Sequence, residues 1–254
     1  MREIYVVLLL LLALASGSLW GQVVPPRIGF VSDTAGELRP VLGVAGNFLL
    51  GDAVANSVVS SGFSGTFTFV KTDTALSIID AGVETDFQVG PGPALFSFFG
   101  HAGFAYFVSD GTLHRWDGVQ LTTVALDLVG EVLGLAQPDA NHVWIAVRQN
   151  NLQVYVLTVD GVSGAIETSA PLTNVDGNLA LLNDREFLFT NGRGLILRRA
   201  NGAEIALAAQ LKGAVSFEQL GAGWWSVKDS SGGHYVFRAG RDKEAIYQLP
   251  ENAP

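Results

Sequence analysis

A short pattern recurs along the chain at nearly constant spacing, and this repeat limits the possible folds more than any other feature. A short apolar segment runs into polar, turn-forming residues six times: Phe30-Val31-Ser32-Asp33, Phe69-Val70-Lys71-Thr72, Phe107-Val108-Ser109-Asp110, Ala146-Val147-Arg148-Gln149, Leu188-Phe189-Thr190-Asn191 and Ser226-Val227-Lys228-Asp229. The second residues of successive copies are 39, 38, 39, 42 and 38 positions apart. A fixed period of this length indicates one supersecondary unit, stacked repeatedly to bury a shared core.

Each period contains four short apolar segments separated by turn residues. In the third period these are residues 94–99, 104–108, 112–116 and 120–126. Tight turns are predicted at Asp110-Gly111 and Asp117-Gly118, because glycine accepts the positive φ that such hairpins need. The fifth period has the same order. Four strands in about 39 residues predict one blade of a β-propeller, and the chain is long enough for about six such four-stranded blades.

Two points stay open in this all-β interpretation. A β-sandwich also shows strands at a spacing of 8 to 12 residues, so it is the alternative fold. The first blade is incomplete: its second and third strands are readable at residues 27–33 and 37–44, whereas its innermost strand has no obvious source. Either residues 245–249 help to close the ring, or the ring is incomplete.

The N-terminal 21 residues have the pattern of a secretory signal peptide. Arg2 precedes an apolar run at residues 5–15, and small residues follow before Gln22. An 11-residue run is shorter than a membrane-spanning helix needs. We therefore expect residues 1–21 to be removed and residues 22–254 to form a single propeller domain. This domain would have no transmembrane anchor and would be periplasmic, on the cell surface or extracellular.

The second repeat resembles a known family. Residues 69–93 contain Val70-Lys71-Thr72, then Ser77-Ile78-Ile79-Asp80, then Val89-Gly90 with Pro93 following. This arrangement is similar to the YVTN-type β-propeller repeat of surface-layer and other exported bacterial proteins. The resemblance implies an exported propeller and carries no catalytic residues. WD40 repeats are a related possibility, but Trp116-Asp117 occurs in one repeat of six, and we interpret it as strand and turn residues.

Composition and motifs argue against several classes of function. The chain has no cysteine, so thiol catalysis and cysteine-bound zinc are excluded. A net charge of −9 argues against binding nucleic acid. The segment 46–51 has the glycine spacing of a phosphate loop but continues with Asp52 where a lysine is required. Residues 174–178 offer oxygen ligands for calcium, yet a turn between blades explains them better, and we expect no cofactor.

A polar, mainly acidic arc is the best candidate for a binding site. Its members precede or begin second strands of neighbouring blades, which places them on one face of the propeller: His101, Asp139, His142, Asp184 and Glu186. Imidazole and carboxylate groups in such an arc have the chemistry for metal binding or proton transfer. Solvated turn residues are the simpler interpretation.

Two functions compete on this evidence. The first is an exported, non-enzymatic binding or cell-envelope interaction module, whose ligand is an unknown protein or carbohydrate. The second is a secreted propeller enzyme, such as a glycan hydrolase or lyase or a metal-dependent lactonase. The enzyme would need several members of the arc to converge. The fold cannot choose between these functions, since function belongs to the site.

Overall fold

The chain forms a six-bladed β-propeller. The computed structural model describes residues 25–33, 35–65, 67–175, 178–183, 185–191, 194–221, 223–240 and 244–250. These residues form six antiparallel sheets, and each sheet follows the chain order of its strands. No helix occurs within these ranges, and hence none that is long and apolar enough to cross a membrane. The predicted propeller is confirmed, whereas the signal peptide lies outside the described residues.

The blades take their strands consecutively from the chain. The first three are β1 Arg27–Ser32, β2 Leu38–Val44 and β3 Asn47–Leu50; β4 Ser60–Phe63, β5 Phe67–Lys71, β6 Ala75–Asp80 and β7 Val83–Gln88; and β8 Ala94–Phe99, β9 Ala102–Phe107, β10 Thr112–Trp116 and β11 Leu121–Val124. The other three are β12 Glu131–Ala136, β13 His142–Arg148, β14 Val154–Asp160 and β15 Ile166–Leu172; β16 Leu179–Asn183, β17 Glu186–Asn191, β18 Gly194–Arg198 and β19 Glu204–Ala206; and β20 Val215–Gly221, β21 Trp224–Asp229, β22 His234–Arg238 and β23 Ala245–Gln248.

The propeller has two faces, which differ in their turns. We call face A the side with the turns from first to second and from third to fourth strands of the four-stranded blades. Face B carries the turns from second to third strands and the connections between blades. Trp116 and Asp117 are a strand residue and a turn residue, as predicted. Trp116 ends β10, and the Asp117 carboxylate accepts hydrogen bonds from the amides of Val119 and Gln120 on face A.

Blade 1 lacks an innermost strand among the described residues. The inner strand β20 of blade 6 lies directly against the inner strand β4 of blade 2, and β1 lies against both. Ile28, near the start of β1, faces Gly221 at the end of β20, while Ser32 at the other end of β1 contacts Lys228 near the end of β21. Therefore β1 runs parallel to the second strand of blade 6. This confirms the prediction that residues 27–33 and 37–44 are second and third strands.

The C-terminal segment completes blade 6. Strand β23 pairs with β22 as its fourth strand, in chain order. Tyr247 of this strand packs against Phe48 of blade 1, with ring centroids 5.6 Å apart. The ring thus closes by side-chain packing between the two terminal blades.

Among the described residues the core is divided into six apolar clusters, one at each junction between neighbouring blades. The junction of blades 2 and 3 is the most aromatic, with Phe67, Phe69, Phe96 and Phe98 at centroid distances of 5.1–5.3 Å. The junction of blades 1 and 2 is smaller: its buried members are Leu38, Val58 and Val70. Alternating strand residues supply both sides of each junction, as the period-2 pattern predicts.

Candidate functional site

Where blade 1 has no inner strand in the described part of the chain, a cleft opens on face B between blades 1 and 6. Its volume is about 540 Å³. Polar side chains come from the end of β1, the start of β20 and the end of β21, while Val31, Leu50, Val215 and Pro250 form an apolar wall. The neighbouring axial channel holds a smaller cavity of about 190 Å³, and Ser216 and Asn178 line both spaces. The cleft is therefore a side opening of the channel mouth.

Three polar groups form a closed network in the wall of the cleft. The Lys228 Nζ donates hydrogen bonds to Ser32 Oγ at 2.7 Å and to Glu218 Oε2 at 2.8 Å, and Ser32 Oγ donates to Glu218 Oε1 at 3.2 Å. Ser32 is buried, and the side chains of Lys228 and Glu218 are 20% and 15% exposed. The Lys228 ammonium group is thus a charge-assisted hydrogen-bond donor to both partners.

His234 is a further polar group of the cleft, and it is neutral at physiological pH. Burial, with a smaller contribution from the positive charge of Lys228, lowers the pKa of its imidazole to about 3. Its Nε2 shares a hydrogen bond with the buried Ser226 Oγ at 2.7 Å. His234 lies on the third strand β22, where it packs against β21 and lines the cleft.

Two carboxylates line the channel, and both are ion-paired. Glu131 binds Arg148 Nη1 at 2.9 Å, and Glu218 binds Lys228. In each pair the cation is the third residue of the repeated motif, at the end of a second strand, and the carboxylate belongs to the inner strand of the same blade. In blade 2 the equivalent Lys71 is fully buried, and it donates to the carbonyl oxygens of Thr72 and Gly90.

The predicted arc does lie on face A, but its described members have separate partners. His101 is 71% exposed, and its Nδ1 lies 3.8 Å from Asp80 Oδ2. Glu186 accepts two hydrogen bonds from Arg199 at 3.0 Å. The structure brings together Asp139 and His142, whose contact is 2.9 Å. Asp184 lies outside the described residues. The binding role of the arc stays a prediction.

A different set of neighbours surrounds His142. Its partners are Asp160 at the end of β14 and Glu167 in β15, and one ligand atom from each of the three residues lies within 4.8 Å of the others. The Nε2 of His142 is 3.6 Å from Glu167 Oε2. The hydrogen bond that His142 donates to Asp139 raises the pKa of the His142 imidazole, and the nearby carboxylates add to this effect.

The sequence analysis did not identify most of the residues in the cleft or around His142. Ser32 and Lys228 share the third position of the motif, which is polar in all six copies, and this shared polarity was the available signal. Glu218 lies in an ordinary alternating strand, and Asp160 and Glu167 are brought to His142 by hairpin pairing. No local signal distinguishes these three residues.

The calcium candidate can be placed only in part. Residues 176 and 177 of the segment 174–178 lie outside the described ranges. Asn178 is described, and its Nδ2 donates a hydrogen bond to the Val215 carbonyl of the next blade. This side chain thus joins blades 5 and 6 beside the channel.

Comparison with known proteins identifies the fold. No protein-family model matches the sequence, and no curated protein matches it. A variant of the Aleuria aurantia lectin in complex with Fucα1-6GlcNAc is similar at a TM-score of 0.61 and 14% identity, over 89% of this chain and 92% of the lectin chain. Another structure of this lectin, described as a six-bladed β-propeller, has a TM-score of 0.57 and 13% identity, over 89% and 91%. A chain of a nidogen/laminin complex has a TM-score of 0.58 and 11% identity, over 87% and 92%. At these identities the likeness establishes the six-bladed propeller fold alone.

Proposed function

We propose that the protein is an exported, non-enzymatic binding module that takes a neutral carbohydrate in the cleft between blades 1 and 6. The observation that carries this proposal is the cleft itself, at the point where blade 1 has no inner strand among the described residues. Loops and strand ends from several blades surround this space, so a ligand bound here contacts several parts of the ring. The resemblance of residues 69–93 to YVTN-type repeats of exported proteins supports the location.

The chemistry of the cleft favours an uncharged, hydroxyl-rich ligand. The charge of Lys228 is balanced by Glu218, and that of Asp33 by Arg39. The Asp229 carboxylate is buried and accepts hydrogen bonds from the amides of Lys212, Ser231 and Gly233. His234 is neutral at physiological pH because its pKa is about 3. Hydroxyl and amide groups on Ser216, Ser230 and Asn178 add donors and acceptors beside the apolar wall. Mixed hydrogen bonding next to apolar surface suits a sugar ring, which has hydroxyl groups at its edge and C–H groups on its face.

Known propellers of the same shape are compatible with this ligand class. The Aleuria aurantia lectin has its fold in common with this chain and is described in complex with a fucosylated disaccharide. Its similarity is one of fold only. The choice of a neutral carbohydrate therefore rests on the cleft of this chain.

The test measures binding by the processed protein. The full chain is expressed in a bacterial host, purified from the periplasm and titrated against a panel of neutral oligosaccharides and their sialylated or sulfated counterparts. We expect a neutral oligosaccharide to bind and to be recovered with unchanged mass. Ser216→Trp, which places an indole at an exposed position of the cleft, should weaken binding at least tenfold.

A matched substitution separates blocking from unfolding. Ser169→Trp introduces the same side chain at an exposed position of the outer strand β15 and should leave binding unchanged. Tighter binding of acidic than of neutral sugars would contradict the ligand class. Cleavage of the bound sugar would contradict a non-enzymatic role, and a chain that stays cytoplasmic with Met1 in place would contradict export.

A further inference from the structure

We propose that His142, Asp160 and Glu167 bind a divalent transition-metal ion on the rim of blade 4. This site is on face A, on the opposite side of the propeller from the carbohydrate cleft. It is independent of the proposed function, and either can fail without the other.

Hairpin pairing assembles the three ligands. His142 and Asp160 are directly paired residues of β13 and β14, and Glu167 follows Ile166, the first residue of β15. The register of β14 and β15 shifts between Thr158 and Val159, next to these residues. One ligand atom from each side chain then lies within 4.8 Å of the other two, which is a spacing that one ion can bridge. A change in the strand pairing would separate them.

Asp139 positions the imidazole. Both of its carboxylate oxygens lie 2.9 Å from His142 Nδ1, so this nitrogen carries the proton that Asp139 accepts. The other nitrogen, Nε2, points to Glu167 and is available as a ligand. A carboxylate that accepts a hydrogen bond from the non-ligating nitrogen is the usual arrangement behind a metal-bound histidine, and it strengthens the ligand.

The local charge favours a cation. In the described part of the chain, Asp139, Asp160 and Glu167 form no ion pair with lysine or arginine; their ion-pair or electrostatic partner is His142. Asp160 also accepts hydrogen bonds from the amides of Val162 and Ser163, which hold it in place. One imidazole and two carboxylates suit Zn²⁺ or Mn²⁺ better than Ca²⁺, which prefers oxygen ligands alone.

The test is equilibrium dialysis of the protein, without any affinity tag, against Zn²⁺, Mn²⁺ and Ca²⁺. We expect one equivalent of Zn²⁺ per chain at micromolar metal. His142→Ala and Glu167→Gln should each weaken Zn²⁺ binding at least tenfold. Asp139→Asn keeps the side-chain oxygen that accepts hydrogen bonds from the amides of Asn141 and His142, but it removes the negative charge next to His142 Nδ1. This substitution should weaken Zn²⁺ binding about 10- to 100-fold.

Control variants test whether Zn²⁺ binds at these three residues and not elsewhere. His101→Ala removes another face-A histidine, which is 71% exposed and lies near Asp80, and it should leave Zn²⁺ binding unchanged. Asp160→Asn keeps the acceptor for the turn and should lower affinity without changing the circular dichroism spectrum. Absence of Zn²⁺ binding by the wild type, equal binding by His142→Ala, or tighter binding of Ca²⁺ than of Zn²⁺ would each overturn the proposal.

Discussion

Buried polar side chains show how single residues hold the blades together. Lys71 is fully buried, and its ammonium group donates to backbone carbonyls of its own blade and of the connection to blade 3. Burial lowers the pKa of this ammonium group, while Asp73 and Asp110 act in the opposite direction. Because an unpaired buried donor is costly, such contacts specify one arrangement of the strands.

His234 should make the stability of the protein depend on pH. Its folded-state pKa of about 3 lies below the ordinary value of 6.5, so the unfolded chain binds a proton that the folded chain rejects. Stability is then full above pH 6.5 and falls as the pH is lowered towards 3, with a slope of at most about 1.4 kcal/mol per pH unit from this residue. The measurement is the free energy of unfolding in urea between pH 6.5 and about pH 4.5, and His234→Gln should flatten this slope.

The pH effect of His234 can be distinguished from the effects of other titratable groups. The aspartates with lowered pKa values titrate below 3.8, outside the pH window of the measurement. His114 is the other histidine whose pKa is lowered by burial, so His114→Gln serves as the matched comparison with a smaller expected effect. An unchanged slope in His234→Gln would show that this imidazole is accessible to protons.

Strands of neighbouring blades approach one another closely where glycine removes a side chain. At Gly134 in β12, a Cβ atom would lie 2.7 Å from the Leu179 carbonyl oxygen of β16. At Gly221 in β20, it would lie 2.8 Å from the Ile28 carbonyl oxygen of β1. The obstacle is backbone in both cases, so the strands themselves must move to admit a methyl group.

Gly134→Ala should destabilise the protein by about 1–3 kcal/mol, as overpacking of a closely packed interior does. The measurement is the urea unfolding midpoint. Gly90→Ala is the matched control: its nearest neighbour is the carboxylate of Asp110 at 3.3 Å, on an exposed side chain that can move. Equal effects of the two substitutions would mean that contact between β12 and β16 is not what requires glycine at position 134.

The ring as a whole is closed at blade 1 by side-chain packing and by the hydrogen bonds of Ser32 with Lys228 and Glu218. Blade 1 has three described strands, and the junction with blade 2 buries few apolar side chains. On its other side, Phe48 packs edge-on against Trp224 and Tyr247 of blade 6, at centroid distances of 5.7 and 5.6 Å. The two junctions of blade 1 should therefore open before the other four.

Phe48→Ala should weaken this closure selectively. Loss of a buried phenylalanine costs about 3–5 kcal/mol. Hydrogen exchange followed by mass spectrometry should show the largest increase in residues 27–50. Phe189→Ala, at the junction of blades 4 and 5, is the matched control, and Phe48→Leu is a milder version if the alanine variant fails to fold. Faster exchange spread equally over all six blades would contradict a weak closure at blade 1.

Strand order was readable from the sequence because it depends on local chemistry. The third period illustrates this: strands predicted at residues 94–99 and 112–116 are β8 and β10, and the fourth, predicted at 120–126, is the shorter β11. Alternating apolar residues and glycine turns act within one hairpin, so one sequence is enough to recognise them. The incomplete first blade was readable for the same reason, since the motif around Val31 has the form of a second strand.

The candidate sites depend on the closed ring, and so the tertiary structure decided them. Ser32 meets Lys228 across 196 positions of the chain because β1 of blade 1 packs directly against the inner strand of blade 6. His142 meets Asp160 and Glu167 because of hairpin register, and the His101 side of the predicted arc stays apart from them. Turns and strand alternation are local, so the sequence alone determined the strands, and the repeat length favoured a propeller over a β-sandwich. Which polar side chains share a cleft follows from ring closure and register, which depend on packing over the whole molecule.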